Sequence, residues 1–259
     1  MEIAGYIASV FIGISLGMIG GGGSVLTIPI LVYFFHIEPV LATAYSLFIV
    51  GTTSTAGVFQ KWNKGEINFK VALKFGLPSL LTVFLLRKFF IPHIPEVVFR
   101  NDWLTVHKGP LMLILFSLLM ISAAIGMLKP REINRPVLPE TQGLVLLGIC
   151  VGVVSGLLGA GGGFIIIPAL IFYASLNIKT AIGTSLVIIS LNSLVGFLGD
   201  LQHHTFIWTD LLIITILGVL GTFIGHWLSG RLPGDKIKKI FGWFVLLTGM
   251  FIFCKELFF

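Results

Sequence analysis

Charge is what this chain has least of. Asp, Glu, Lys and Arg make up 11% of its 259 residues, against 56% hydrophobic residues. Soluble domains carry about 25% charged residues, so a chain this poor in charge is not built to be solvated by water. It has no run of about five or six like charges, the usual mark of an interaction tail. The net charge of +6 is spread over short segments, which makes nucleic acid a poor partner. Cysteine is nearly absent as well. Cys150 and Cys254 both fall in apolar runs and are expected to be buried small hydrophobes, which set no redox compartment. The opening MEIAGYIASVFIGISLG lacks a basic start and an A-x-A-like cleavage site, so it is read as part of the fold. Alternating apolar and polar residues, the pattern of a membrane barrel strand, are missing too.

Long, continuous apolar runs are present instead. They match the roughly 20 residues of a membrane-spanning helix, and the expected fold is an all-α polytopic membrane protein. An internal repeat organises it. GMIGGGGSVLTIPIL begins at Gly17 and GLLGAGGGFIIIPAL at Gly156, an offset of 139 that holds without a gap for roughly 40 positions. Gly20 aligns with Gly159, Pro29 with Pro168, Ser46 with Ser185 and Ser54 with Ser193. Spaced glycine, proline and serine identities are a far stronger repeat signal than matched leucines. The chain is read as a first repeat (1–130), a basic, proline-bearing cytoplasmic linker (131–141) and a second repeat (142–259). Each repeat opens with a glycine-interrupted unit, 3–36 or 142–175. Three apolar segments follow: 39–61, 67–90 and 109–128, then 178–200, 208–230 and 237–254.

The glycines come in blocks: Gly20, Gly21, Gly22 and Gly23 in one half, and Gly159, Gly161, Gly162 and Gly163 around Ala160 in the other. Each glycine costs a helix about 1 kcal/mol relative to alanine, so a block favours a break. The alternative is a close helix crossing, but that calls for small residues at every fourth position. Unbroken, residues 3–36 would make a helix of about 51 Å, too long for one crossing of roughly 30 Å and short for two. A re-entrant helix hairpin meeting at the glycines fits better.

Loop charge tests this parity. If each broken unit enters and leaves on one side, each half crosses three times and the second half is inverted. Lys and Arg then divide 12 inside to 5 outside, with Arg87, Lys88, Arg100, Lys108 and Lys255 outside. If each unit crosses fully, they divide 8 to 9. The expectation is therefore two inverted repeats with both termini outside the cytoplasm.

Short helices are expected to begin at Gly23–Ser24 and Gly162–Gly163. Helix N-termini offer free N–H donors and about half a positive charge. Two of them converging from inverted halves would make an anion site near the midplane, a use that discontinuous membrane helices are known for. No Lys or Arg lies mid-span, so the site is expected to hold anions without a buried cationic side chain. The segment after each hairpin adds polar groups on one helical face: Thr43, Ser46, Thr53 and Ser54, then Thr184, Ser185, Asn192 and Ser193. Serine and threonine can instead bond their own helix, which leaves Asn192 the strongest single candidate. Pro29 and Pro168 are read as structural, His226 as paired or interfacial, His203–His204 as a surface loop, and Lys74 as snorkelling.

GMIGGGGSVLTIP and GLLGAGGGFIIIP, each followed by a small-residue segment (ATAYSL, TAIGTSL), resemble the TauE/SafE family. It is also called the sulfite exporter or 4-toluene sulfonate uptake permease family. The resemblance covers nearly the whole chain. It implies a multi-pass transporter of prokaryotic inner membranes that moves sulfite, sulfonates or related anions and holds no cofactor. Its partners would be the small anion, the bilayer and a coupling proton or cation. An anion channel is the alternative. An intramembrane hydrolase built on Ser24 or Ser155 is disfavoured, because no histidine is placed to activate either one.

Overall fold

The computed structural model describes residues 2–101, 104–128, 140–159, 161–229, 231 and 234–258. The expected linker therefore lies almost wholly outside the described residues. Helix α1 (Glu2–Ile19) leads into a 3-10 turn (Gly21–Leu26) and α2 (Thr27–Tyr33). Next come α3 (Pro39–Trp62) and α4 (Phe69–Leu85), which continues as a π turn (Leu86–Phe90) and a 3-10 turn (Ile91–His93). A two-stranded antiparallel hairpin, β1 (Val97–Asn101) and β2 (Leu104–His107), precedes α5 (Lys108–Leu128). The second half holds α6 (Glu140–Leu158), α7 (Gly163–Tyr173), α8 (Ile178–Asp200), α9 (Trp208–Ser229) and α10 (Gly234–Phe258).

Local signals explain several boundaries. Pro39 stands at the first position of α3, where its missing N–H costs nothing. The Asn68 side chain caps α4 by accepting from Val71 N–H, and Asn177 caps α8 by accepting from Thr180 N–H. The 139-residue offset recurs in the element ends. It relates Ile19 to Leu158, Pro39 to Ile178, Phe69 to Trp208 and Phe90 to Ser229. It also relates His36 to Ser175, among the described residues the two non-glycine positions with positive φ, at 54° and 50°.

Side-by-side contacts give the helix directions. Gly13 lies against Gly218, and Gly17 against Thr222 and His226, so α1 and α9 run parallel. Gly148 meets Phe75 and Pro78, and Gly152 meets Ser79 and Thr82, so α6 and α4 are parallel too. Glycines here let backbones approach within a bilayer. Helices α3 and α8 cross antiparallel, with Leu47 on Gly196 and Leu186 on Gly57. Helix α4 follows α8 through Asn68–Thr184, Ser79–Asn192 and Arg87–Asp200, and α3 follows α9 through Tyr45–Ile207 and Thr53–Gly218. Thus α1, α3 and α9 point one way and α4, α6 and α8 the other. Because α1 and α3 share a direction, the 3-10 turn and α2 carry the chain back between them. Helix α7 does the same between α6 and α8.

Among the described residues, six helices are long and apolar enough to cross a membrane: α3, α4 with its extension, α5, α6, α8 and α9. The first five expected crossing segments match five of these. The sixth, 237–254, lies in α10, which packs along α5 through Gly249 on Ser117, Met120 and Ile121. Helices α3 and α8 form the centre, with 72% and 67% of their spans buried against 33% for α4. Leu73, Leu77, Leu81 and Leu85 of α4 face outward at four-residue spacing, a stripe suited to lipid. Cys150 and Cys254 are exposed on the outer surface, which corrects the expectation of burial. In a bilayer an apolar side chain needs no protein cover.

Candidate functional site

The second glycine block breaks its helix as expected. Helix α6 ends at Leu158, α7 starts at Gly163, and Gly159, Gly161 and Gly162 have φ of 68°, 66° and 68°. Glycine alone adopts this left-handed backbone without penalty. The turn reaches the middle of the protein. A Cβ on Gly161 would sit 3.1 Å from Ser193 Oγ, Ile189 Cγ2 and Val50 Cγ1, inside the α3–α8 crossing. A Cβ on Gly159 would sit 2.6 Å from Thr43 Cβ and 2.8 Å from Arg87 Nη2.

The first block behaves differently. Gly20 has φ 77°, but Gly21 to Leu26 wind into a 3-10 turn and α2 starts only at Thr27. Helix does run from Gly23 to Tyr33, but its first turn is 3-10 and α geometry begins only at Thr27. A consecutive glycine run can tighten into i→i+3 turns as well as stop a helix. With seven residues, α2 is too short to supply the strong N-terminal dipole expected of it.

The predicted polar residues are all buried: Ser24, Ser46, Thr53, Ser54, Thr184, Ser185, Asn192 and Ser193 at 0% exposure and Thr43 at 3%. Their partners divide them. Thr53 donates to Ile49 and Val50 carbonyls, Ser185 to the Ile182 carbonyl and Thr43 to the Val40 carbonyl. These three are satisfied within their own helices. Thr184 instead accepts from Asn68 N–H at 3.0 Å and fixes the start of α4. Ser46, Ser54 and Ser193 hydroxyls and Asn192 Oδ1 have no hydrogen-bond partner. Asn192 Nδ2 donates to Ser79 Oγ at 2.7 Å. A hydroxyl can donate or accept, so either end of the amide can be turned toward a ligand. Ser155, one turn before the second break, also has a free hydroxyl.

Arg87 corrects the expected absence of a buried cation. It was counted among outer-loop charges, yet it is wholly buried. Its Nη1 donates to Asp200 Oδ2 at 2.8 Å and to Thr43 Oγ1 at 3.0 Å, while Nε and Nη2 have no partner. Its partner Asp200 is 1% exposed. Helical spacing was the overlooked signal, because Ser79, Val83 and Arg87 are four apart on the inward face of α4 and its π turn. Nearby, burial holds the His204 ring below its ordinary pKa despite the opposing pull of Asp200. His226 is paired, its Nε2 lying 2.9 Å from Lys64 Nζ. Lys74 Nζ reaches Thr141 Oγ1 at 3.0 Å in an exposed position. Pro29 and Pro168 lie within α2 and α7. Among the described residues no His, Cys, Asp and Glu cluster could hold a metal ion.

A bundle of apolar helices around two broken units, with polar groups gathered at its centre, defines a multi-pass membrane transporter. The chain belongs to the sulfite exporter TauE/SafE family, whose model matches residues 6–252. It is 29% identical to a probable membrane transporter protein of Xylella fastidiosa over 254 residues, 95% of this chain and 92% of that one. It is 28% identical over 232 residues to the probable membrane transporter protein YdhB of Bacillus subtilis, covering 88% and 90%. A probable membrane transporter protein of Methanocaldococcus jannaschii is 28% identical over 206 residues, covering 77% and 72%.

Proposed function

We propose that this chain is a secondary transporter that moves small sulfur-containing anions, such as sulfite or sulfonates, by alternating access. The observation that carries the reading is the position of Gly161. A glycine with positive φ turns the chain beside Ser193, at the crossing of the two central helices. Broken backbone is tolerated at membrane depth only where protein or a cavity receives it. Here it is received by the unpartnered Ser193 hydroxyl of α8, with Val50 of α3 beside it. Helix α7, 11 residues long, starts at this turn, so its first N–H groups lack intrahelical acceptors. Together with Arg87 they favour a negative ligand.

Two inverted halves are the second part of the reading. Helix α1 runs with α3, and α6 runs with α8, opposite to them. Matching units in opposed directions provide two related arrangements about one central site, which is the basis of alternating access in repeat-built transporters. The broken units act as the deep walls of that site, and α3 and α8 supply its polar lining.

The test is uptake by purified protein in proteoliposomes, using sulfite, thiosulfate, sulfonates and sulfate in turn. Saturable uptake of one or more of these anions is expected. Flux that rises linearly with concentration would replace the carrier by a channel. Cation flux untouched by any sulfur anion would overturn the anion reading.

A further inference from the structure

Arg87 is only half used. Its Nη1 is taken by Asp200 and Thr43, while Nε and Nη2 are buried without a partner. Those two nitrogens form one edge of the guanidinium, with parallel N–H bonds spaced to grip two oxygens of one oxyanion. A buried charged donor left unmatched is costly, so a protein that keeps this edge clear of protein acceptors has a reason to do so. The edge is beside the second break, because Gly159 lies against Nη2. A side chain at 159 would strike the guanidinium.

We propose that the Nε–Nη2 edge of Arg87 holds the transported oxyanion, and that Asp200 takes up one proton with each anion. The inference rests on the anion-transport reading and names its binding residue and coupling ion. Arg87 and Asp200 together carry no net charge. Adding a monoanion would leave one buried negative charge uncompensated, which is strongly unfavourable away from water. One proton on the Asp200 carboxylate restores neutrality: anion and proton bind together, and both leave on release. Arg87 stays a cation throughout. Other titratable groups facing this pair are Lys108 at the start of α5, Glu38 before α3, Glu96 before β1, and His203 and His204 after α8. The arrangement joins the two halves and does not recur at the repeat-related position. The repeat counterparts of Arg87 and Asp200 are His226 and Lys61, and Lys61 pairs with Glu66 at 2.7 Å instead.

The experiment measures the uptake of sulfite and of methanesulfonate together with lumenal pH, in proteoliposomes carrying a trapped pH dye. Wild type is compared with Arg87→Lys, Asp200→Asn and the charge-neutral double variant R87Q/D200N, each first shown to be monodisperse. Arg87→Lys keeps the charge and loses the fork, so KM for sulfite should rise roughly tenfold or more. The double variant should lose saturable uptake although it leaves no unpaired buried charge. Asp200→Asn should lose the lumenal acidification that accompanies each methanesulfonate, a monoanion with no proton of its own to release, and flatten the pH dependence of any remaining uptake. If wild type moves sulfite and Arg87→Lys or the double variant keeps its KM, the binding assignment is wrong. If Asp200→Asn still acidifies the lumen in proportion to methanesulfonate, the coupling assignment is wrong. If wild type moves none of the panel anions, the transport reading itself fails.

Discussion

Arg87 and His226 occupy the same position of the 139-residue repeat, yet their surroundings are opposite. Arg87 is enclosed against Asp200, Thr43 and the second glycine break. His226 is only partly buried and its ring nitrogen meets Lys64. A lysine ammonium can only donate, so His226 Nε2 accepts and the ring proton sits on Nδ1. The two ends of the bundle thus carry different chemistry on a common scaffold. One end holds a buried ion pair with donors to spare, and the other a basic surface cluster.

The helix directions lead to a topology that reporter fusions can read. Fusions at residues 65, 135, 205 and 235 should report inside, inside, outside and inside. Residues 65 and 205 lie in the corresponding connections α3–α4 and α8–α9, so they carry the decision. Cytoplasmic signals at both would mean parallel halves.

Glycine substitutions probe the two breaks separately. Gly161→Leu forces a branched side chain onto positive φ and against Ser193, Ile189 and Val50. Uptake should be abolished while the protein remains inserted and monodisperse. Gly22→Leu should also abolish uptake, since Gly22 lies in the tight 3-10 turn of the other broken unit. Wild-type uptake by both variants would reduce the glycine blocks to helix-contact devices.

Asn192→Ala removes a buried amide that holds Ser79 and leaves that hydroxyl unmatched. Stability should fall by about 1–3 kcal/mol, measured as a lower denaturation midpoint in detergent. The preference among sulfur oxyanions should shift as well, because the amide can donate to an oxygen without adding charge. An unchanged selectivity pattern with the expected stability loss would make Asn192 a purely structural residue.

Acid sensitivity should arise at Glu66, in the connection between α3 and α4. Burial alone would raise its pKa. The Lys61 hydrogen bond and the charges of Lys61, Lys64 and Lys179 outweigh burial and leave it lowered. A lowered carboxylate stabilises the fold fully above its unfolded pKa of about 4.3. That contribution fades as pH falls through the folded value below it. Glu66→Gln should therefore lower the melting temperature near neutral pH, and the difference from wild type should shrink under acid conditions. A constant difference across that range would show that the Lys61–Glu66 bridge contributes nothing.

Much of the candidate site was legible. Ser46, Ser54, Asn192 and Ser193 follow from helical spacing after each glycine block, and each is buried with a free polar atom. Thr43, Thr53 and Ser185 looked identical in spacing but bond their own helices. Serine and threonine can make either kind of bond, so spacing alone does not separate them.

Composition and the 139-residue repeat by themselves determined the membrane class, the position of the glycine blocks and most helix boundaries. These follow from bilayer thickness, helical rise and backbone propensity, all of which are local. Only the tertiary structure decided what the glycine blocks meet, and it treated them unequally: one became a left-handed turn against Ser193, the other a 3-10 turn. It also brought Arg87 to Asp200 across 113 positions of sequence. Near a span end, an arginine can reach water or turn inward, and sequence position does not say which. The choice falls to a carboxylate and a hydroxyl delivered by two other helices, since a buried guanidinium is tolerated only where such partners meet it.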